Sequence, residues 1–283
     1  MLKIIIKITL SLFLLISSFI VKAQEFQGKA VYQTKMKMDD AFKKRIDSSK
    51  MPDDRKAFMM KMIKKRMEKV YELNFTKTTS IYKEQKSLEA PSENDRFNRS
   101  SNNLYFKDIK NKKFISKKET FGKVFLIKDA LTNYEWKLEK ETKMIGNHLC
   151  LKATAEAVLN NNGNRFSRFS KNSNDKKTAE TEIPKKTKIT AWYTPEIPVS
   201  NGPESYEGLP GLILQLDAGN MQILCTKIIL NPKEKADIVA PTKGKEVSQK
   251  EYEKITKEKL QEMKKLYKNN RKKGGSSRRH GRF

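Results

Sequence analysis

The chain has 283 residues, with 60 Lys and Arg against 33 Asp and Glu, a formal net charge of +27. That length suits one sizeable domain. Two cysteines with no Cys-x-x-Cys pair exclude a thiolate metal cage, and lysines spread over nearly every segment describe a solvated surface. An anionic surface is the alternative partner that such charge implies.

Met1, Lys3 and Lys7 give a basic start, and Ile8 to Val21 is apolar apart from Thr9 and three serines. Val21-Lys22-Ala23 supplies a small residue before a cut. Residues 1–23 are therefore expected to be a signal peptide, since a membrane span needs about 20 apolar residues. No cysteine follows the run, and no later segment is apolar enough to cross a bilayer. The expected location is periplasmic or secreted, with no transmembrane segment after cleavage. Export also argues against nucleic acid as a partner.

Gly28 to Met38 alternates apolar and polar residues, the period of a half-buried strand. Pro52, Asp53 and Asp54 suit a helix start, with a helix to about Lys69. Strand periodicity returns over Val70–Thr76 and Ile81–Tyr82. It continues over Leu104–Ile109, Lys113–Glu119, Lys123–Lys128, Tyr134–Glu139 and Leu149–Val158. Short turn signals between these segments suggest an antiparallel meander. Residues from about 160 to 186 form a Ser-, Asn- and Lys-rich insertion with little to bury. Lys188–Tyr193 is a further strand, and Leu212–Leu216 with Met221–Leu230 a hairpin turning at Asp217 to Asn220. Ser248-Gln249-Lys250-Glu251 matches a capping box. The segments are thus a β-rich domain over 24–235, a helix over 246–269 and a basic tail over 270–283.

Between the last three strands lies Gly208-Leu209-Pro210-Gly211-Leu212-Ile213, preceded by Trp192, Pro198, Gly202 and Pro203. Pro210-Gly211 suits a type II turn with Gly211 at positive φ. Pro198 holds its neighbours extended. None of these side chains is an acid, base or nucleophile. The segment is either a rigid connector into a buried strand or a backbone-lined site for a ligand or partner.

These residues resemble the GLPGLI family, exported Bacteroidota proteins defined by this hexapeptide and not by an established activity. Ile145-Gly146-Asn147-His148-Leu149-Cys150-Leu151-Lys152-Ala153 and Tyr71 to Phe75 fit the same resemblance. It spans about residues 25 to 235, and no catalytic residue comes with it.

Cys150 and Cys225 could pair in an oxidising compartment, or remain as small core residues. His148 and His280 are the only histidines, and His148 is expected at a packed or edge strand position. Met59, Met60 and Met62 crowd near Met36, Met38, Met51 and Met67. Thioethers favour Cu(I), so copper handling is one reading, beside ordinary core packing or an adaptable apolar surface. Otherwise no cofactor is expected. The expected fold is α+β, a long curved antiparallel sheet resembling a half-barrel. One helix packs on it, and a C-terminal helix lies outside. The expected function is a non-enzymatic exported binding or accessory protein for a hydrophobic ligand or an envelope protein.

Overall fold

The computed structural model describes residues 26–38, 40–85, 103–158 and 186–276. The expected signal peptide, almost all of the polar insertion and the tail beyond Ser276 lie outside them. Twelve strands run in chain order. They are β1 (Gly28–Met36), β2 (Lys69–Phe75), β3 (Thr79–Glu84), β4 (Leu104–Asp108), β5 (Lys113–Thr120) and β6 (Lys123–Ala130), then β7 (Lys137–Ile145), β8 (His148–Val158), β9 (Lys186–Thr194), β10 (Leu212–Ala218), β11 (Met221–Leu230) and β12 (Lys245–Val247). The helices are α1 (Asp40–Asp47), α2 (Asp53–Met67) and α3 (Gln249–Ser276). No helix among the described residues is long and apolar enough to cross a membrane.

All strands join one sheet in the order β12-β6-β5-β4-β3-β2-β1-β11-β10-β9-β8-β7. Every pairing is antiparallel except β12 on β6, which is parallel. The expected α+β, purely antiparallel fold is therefore corrected. The chain is mostly β, and its sheet is open and mixed. The reason lies in α2, where lysines interleave with the methionines and leave no continuous apolar stripe. Phe58 is 58% exposed, and no described side chain of α2 is fully buried. That helix touches the end of β1 and does not cover the sheet.

Strand register stacks residues in rows on one face, because directly opposed residues share a face. One row runs Ala30, Leu73, Tyr82, Tyr105, Ser116, Ile127 across six strands. The next holds Phe75, Ser80, Lys107 and Phe114. A third holds Tyr32, Tyr71 and Glu84. The cover over this face is the β9–β10 connection, residues 195–211. Its Ile197, Val199, Tyr206 and Leu209 join Tyr32, Leu73 and Phe75 in the main core.

A smaller core of Phe114, Phe125, Ile127, Leu131 and Val247 takes Tyr252 and Ile255 from α3. The C-terminal helix therefore docks its first turns on the sheet edge and does not lie apart. Ser248 caps it as the sequence suggests. The Ser248 hydroxyl accepts from the Glu251 amide at 3.3 Å, and the Glu251 carboxylate accepts from the Ser248 amide at 2.7 Å. The helix runs on through Asn269-Asn270 to Ser276.

Candidate binding site

The β9–β10 connection owes its shape to short backbone turns. Val199 N–H donates to Ile197 O, Asn201 N–H to Val199 O and Gly211 N–H to Leu209 O, each at 2.8 Å. These are three-residue turns, centred on Pro198, Ser200 and Pro210, and proline's fixed φ suits the central place. The expected type II turn at Pro210-Gly211 is thus corrected. Gly211 is not at positive φ; Gly208 is, at +97°. Gly211 is needed for space, since a Cβ there would lie 2.2 Å from Thr194 O. A Cβ at Gly202 would likewise lie 2.8 Å from the Ile213 side chain. Two bonds close the base of the connection, Leu212 N–H to Ile197 O and Ile213 N–H to Asn201 O.

Leu209, Leu212, Ile213 and Pro203 are buried, whereas Pro198, Gly208 and Pro210 are exposed. Trp192 does not join them. Its neighbours Ala191 and Tyr193 point to the covered face, so alternation puts its ring on the other side, under the Lys143 ammonium at 4.1 Å. The motif therefore builds a connector, and its side chains mostly fill core.

Lys107 pins that connector. It is fully buried, and its ammonium donates to Gly202 O at 2.6 Å and Tyr206 O at 3.2 Å. Burial pulls its pKa down to about 7, against an upward pull from Glu207 and Glu204. Tyr32 Oη donates to Ile213 O at 2.8 Å, and Trp136 Nε1 donates to Glu207 O at 2.9 Å. Tyr134 stacks on Tyr206 with ring centres 5.2 Å apart.

Between these clamps stands Glu204. Its backbone is left-handed, φ +48°, in a residue type that avoids this region. Lys112, Phe121 and Asn231 share the conformation, but they sit at strand ends. The Glu204 side chain is half-buried and makes no hydrogen bond or ion pair among the described residues. Burial raises its pKa, and Lys118 and Lys107 oppose the rise. Its charge acts on Tyr71, Tyr82, Tyr105, Tyr134 and Tyr206. The Tyr71 and Tyr82 rings stack 4.8 Å apart, and the buried Tyr82 hydroxyl has no hydrogen-bond partner. An orphaned buried hydroxyl is costly, and in a native fold it calls for an explanation.

Tyr71, Tyr105 and Tyr134 are half-exposed and feel this carboxylate's charge, the Tyr134 hydroxyl lies 3.0 Å from that of Ser205, next to Glu204, and Lys118 stands on β5. The Lys118 ammonium is 5.5 Å from the centre of the Tyr252 ring, so α3 bounds the far side. The arrangement offers aromatic faces, one carboxylate and one ammonium. Sequence reading missed Glu204, Lys107 and the tyrosines. The available signal was the strand alternation that puts Tyr82, Tyr105 and Lys107 on one face, with Glu204 directly after Gly202-Pro203.

The other sequence candidates fall elsewhere. Cys150 and Cys225 are buried free thiols, both with raised pKa from burial. β8 and β11 are three strand spacings apart in the sheet, roughly 14 Å, about twice what a disulfide spans. Of the two readings, a pair or two small core residues, the structure holds the second. Met59, Met60 and Met62 are half-buried on α2, and helical geometry sets Met60 about 100° around the axis from Met59 and further still from Met62. No group of His, Cys, Asp and Glu that could hold a metal occurs among the described residues. His148 Nδ1 sits 2.6 Å from Glu196, whose other oxygen accepts from Leu149 N–H. That contact draws the Glu196 pKa down and ties the connector's start to β8.

A protein-family model matches residues 136–215. Its description is "Protein of unknown function (Porph_ging)". The match runs from Trp136 through the connector into β10. No curated protein matches the sequence. Among the solved structures that resemble the chain are two of PNGF-II, one in a C2 and one in a P21 space group. Each is 13% identical, covering 81% of this chain and 32% of its own, with TM-scores of 0.47 and 0.46. The chain thus spans about a third of the length of those structures.

Proposed function

We propose that the chain is a GLPGLI-type exported protein that binds a ligand at the cell envelope without transforming it, and that the tyrosine site around Glu204 is where it binds. The carrying observation is Glu204 itself, a half-buried carboxylate in left-handed backbone with no partner among the described residues. Strain of this kind costs about 1–3 kcal/mol and persists where the surroundings over-determine it. Here Lys107, Tyr32 and Trp136 do so. The resemblance motif supports the reading because its glycines and prolines shape the connector that carries Glu204. The ligand is ring-bearing and partly polar, since hydrocarbon against Glu204 would leave that carboxylate unpaired.

The test is native mass spectrometry of the protein expressed with its leader in cells that export it. The expected result is a bound small molecule, released on unfolding and lost in Glu204→Gln. A bare mass for the wild type, or a bound molecule retained equally by the variant, contradicts the proposal.

A further inference from the structure

The helix α3 divides in two along its length. Its first turns are anchored. Tyr252 packs on Phe125 with ring centres 5.5 Å apart, and its hydroxyl lies 2.8 Å from Thr120 Oγ1. Ile255 joins the same small core, and no later residue of α3 joins either core among the described residues. Past Thr256 the helix runs on for roughly 30 Å at the α-helical rise per residue. Met263 and Leu266 there are 38% and 58% exposed, and Leu260 is half-buried. At about 100° per residue, Tyr252, Ile255, Leu260, Met263 and Leu266 fall on one arc of about 140°. The apolar stripe that docks the helix therefore continues beyond the place where it docks. Two polar residues share the arc and are already satisfied. The Thr256 hydroxyl donates to its own helix, to Tyr252 O or Glu253 O, and Lys259 pairs with Glu262 at 2.6 Å.

Charge divides at the same place. From Gln249 to Glu262, Lys250, Lys254, Lys257 and Lys259 are balanced by Glu251, Glu253, Glu258 and Glu262. From Met263 to Ser276 the sequence holds Lys264, Lys265, Lys268, Arg271, Lys272 and Lys273, and no acid. Cations complement a helix dipole only within the last turn. Lys264 and Lys265 stand about three turns before the end of α3. A second copy laid stripe to stripe would bring these cations against their own kind. A nucleic acid would answer the charge and leave Met263 and Leu266 in water. A bilayer surface with anionic headgroups answers both, since it takes an apolar stripe at the acyl boundary and cations at the phosphates. The helix is too polar to cross the bilayer, so it would lie along it. We propose that the second half of α3 is an arm that binds the surface of an anionic phospholipid bilayer. Leu260, Met263 and Leu266 enter the headgroup boundary, and Lys264 and Lys265 lead the cations that meet the phosphates. The anchored first turns then hold the sheet at the membrane.

The test is flotation with lipid vesicles of protein purified from cells that export it. Vesicles of phosphatidylcholine and phosphatidylglycerol should bind it about tenfold or more tightly than vesicles of phosphatidylcholine alone. Lys264→Gln with Lys265→Gln should weaken that binding about tenfold. Met263→Asn with Leu266→Asn, which leaves the charge untouched, should weaken it by at least as much. Lys110→Gln with Lys123→Gln makes the same charge change at two exposed positions off the helix and should leave binding unchanged. All the altered side chains are exposed, and equal urea midpoints would verify that the fold is kept. Equal weakening by the two lysine pairs, or full binding by the asparagine variant, would reduce the attraction to net charge and overturn the proposal. No flotation of the wild type overturns it as well. A dimer in sedimentation that the asparagine variant dissolves would then assign the face to a second copy. None of these outcomes bears on the ligand at Glu204, which the native mass measurement decides.

Discussion

At the scale of single residues, two buried or half-buried ionisable groups oppose each other in purpose. Lys107 holds the connector down, and its amine satisfies two carbonyls whether protonated or neutral. Its folded pKa, about 7, lies below that of an unfolded lysine. Between those values the unfolded chain binds the extra proton, so stability rises with pH. It is fully present above the ordinary lysine range and is lost as pH falls toward 7. Lys107→Met removes that dependence and leaves the Gly202 and Tyr206 carbonyls unpaired, at a cost of about 1–3 kcal/mol. Urea unfolding at pH 7 and pH 9 should show the wild type gaining on the variant at the higher pH; parallel curves would contradict it. None of this was legible in the sequence. Lys107 reads as one lysine among many in an alternating strand, and only the connector folding over it from nearly a hundred residues away buries it.

At the scale of elements, the connector is set by excluded volume more than by turn propensity. A Cβ at Gly211 would meet the Thr194 carbonyl, a backbone atom that cannot swing aside. Gly211→Ala should therefore cost about 3 kcal/mol, the upper range for forced overpacking, measured as a fall in the denaturation midpoint. The α3 cap makes a milder case. Ser248→Ala removes the hydroxyl half of this reciprocal pair and should cost about 1 kcal/mol, with hydrogen exchange rising first at Tyr252. Elements were the most legible level. Alternation located the strands from Gly28 to Leu230. The hairpin turn narrowed to Gly219-Asn220, with Gly219 at φ +62°. Three elements escaped. α1 lies in a polar stretch, β12 is only three residues long, and β7 begins at Lys137 and continues to Ile145, well past the expected end. Strands this short or this polar carry too little periodicity to stand out.

At the scale of the whole molecule, one open twelve-stranded sheet carries two cores, the larger covered by the connector and the smaller by the first turns of α3. The α+β expectation failed because α2 contributes so little burial, while the loop expected to be a connector became the cover. The motif and its connector were readable, but the site was not. Its parts come from β2, β3, β4, β5 and the connector, and only strand register brings them together. The central claim is that Glu204 serves a ligand and not the fold. The direct measurement is the unfolding free energy of wild type and Glu204→Gln at pH 4 and pH 8. Because burial raises the folded-state pKa, ionisation of Glu204 costs stability that is present below the ordinary glutamate range and lost above it. The account predicts that the ligand-free variant gains on the wild type between pH 4 and pH 8 and is at least as stable at pH 8. A variant clearly less stable than the wild type at pH 8 would show Glu204 to be a structural residue and contradict the account.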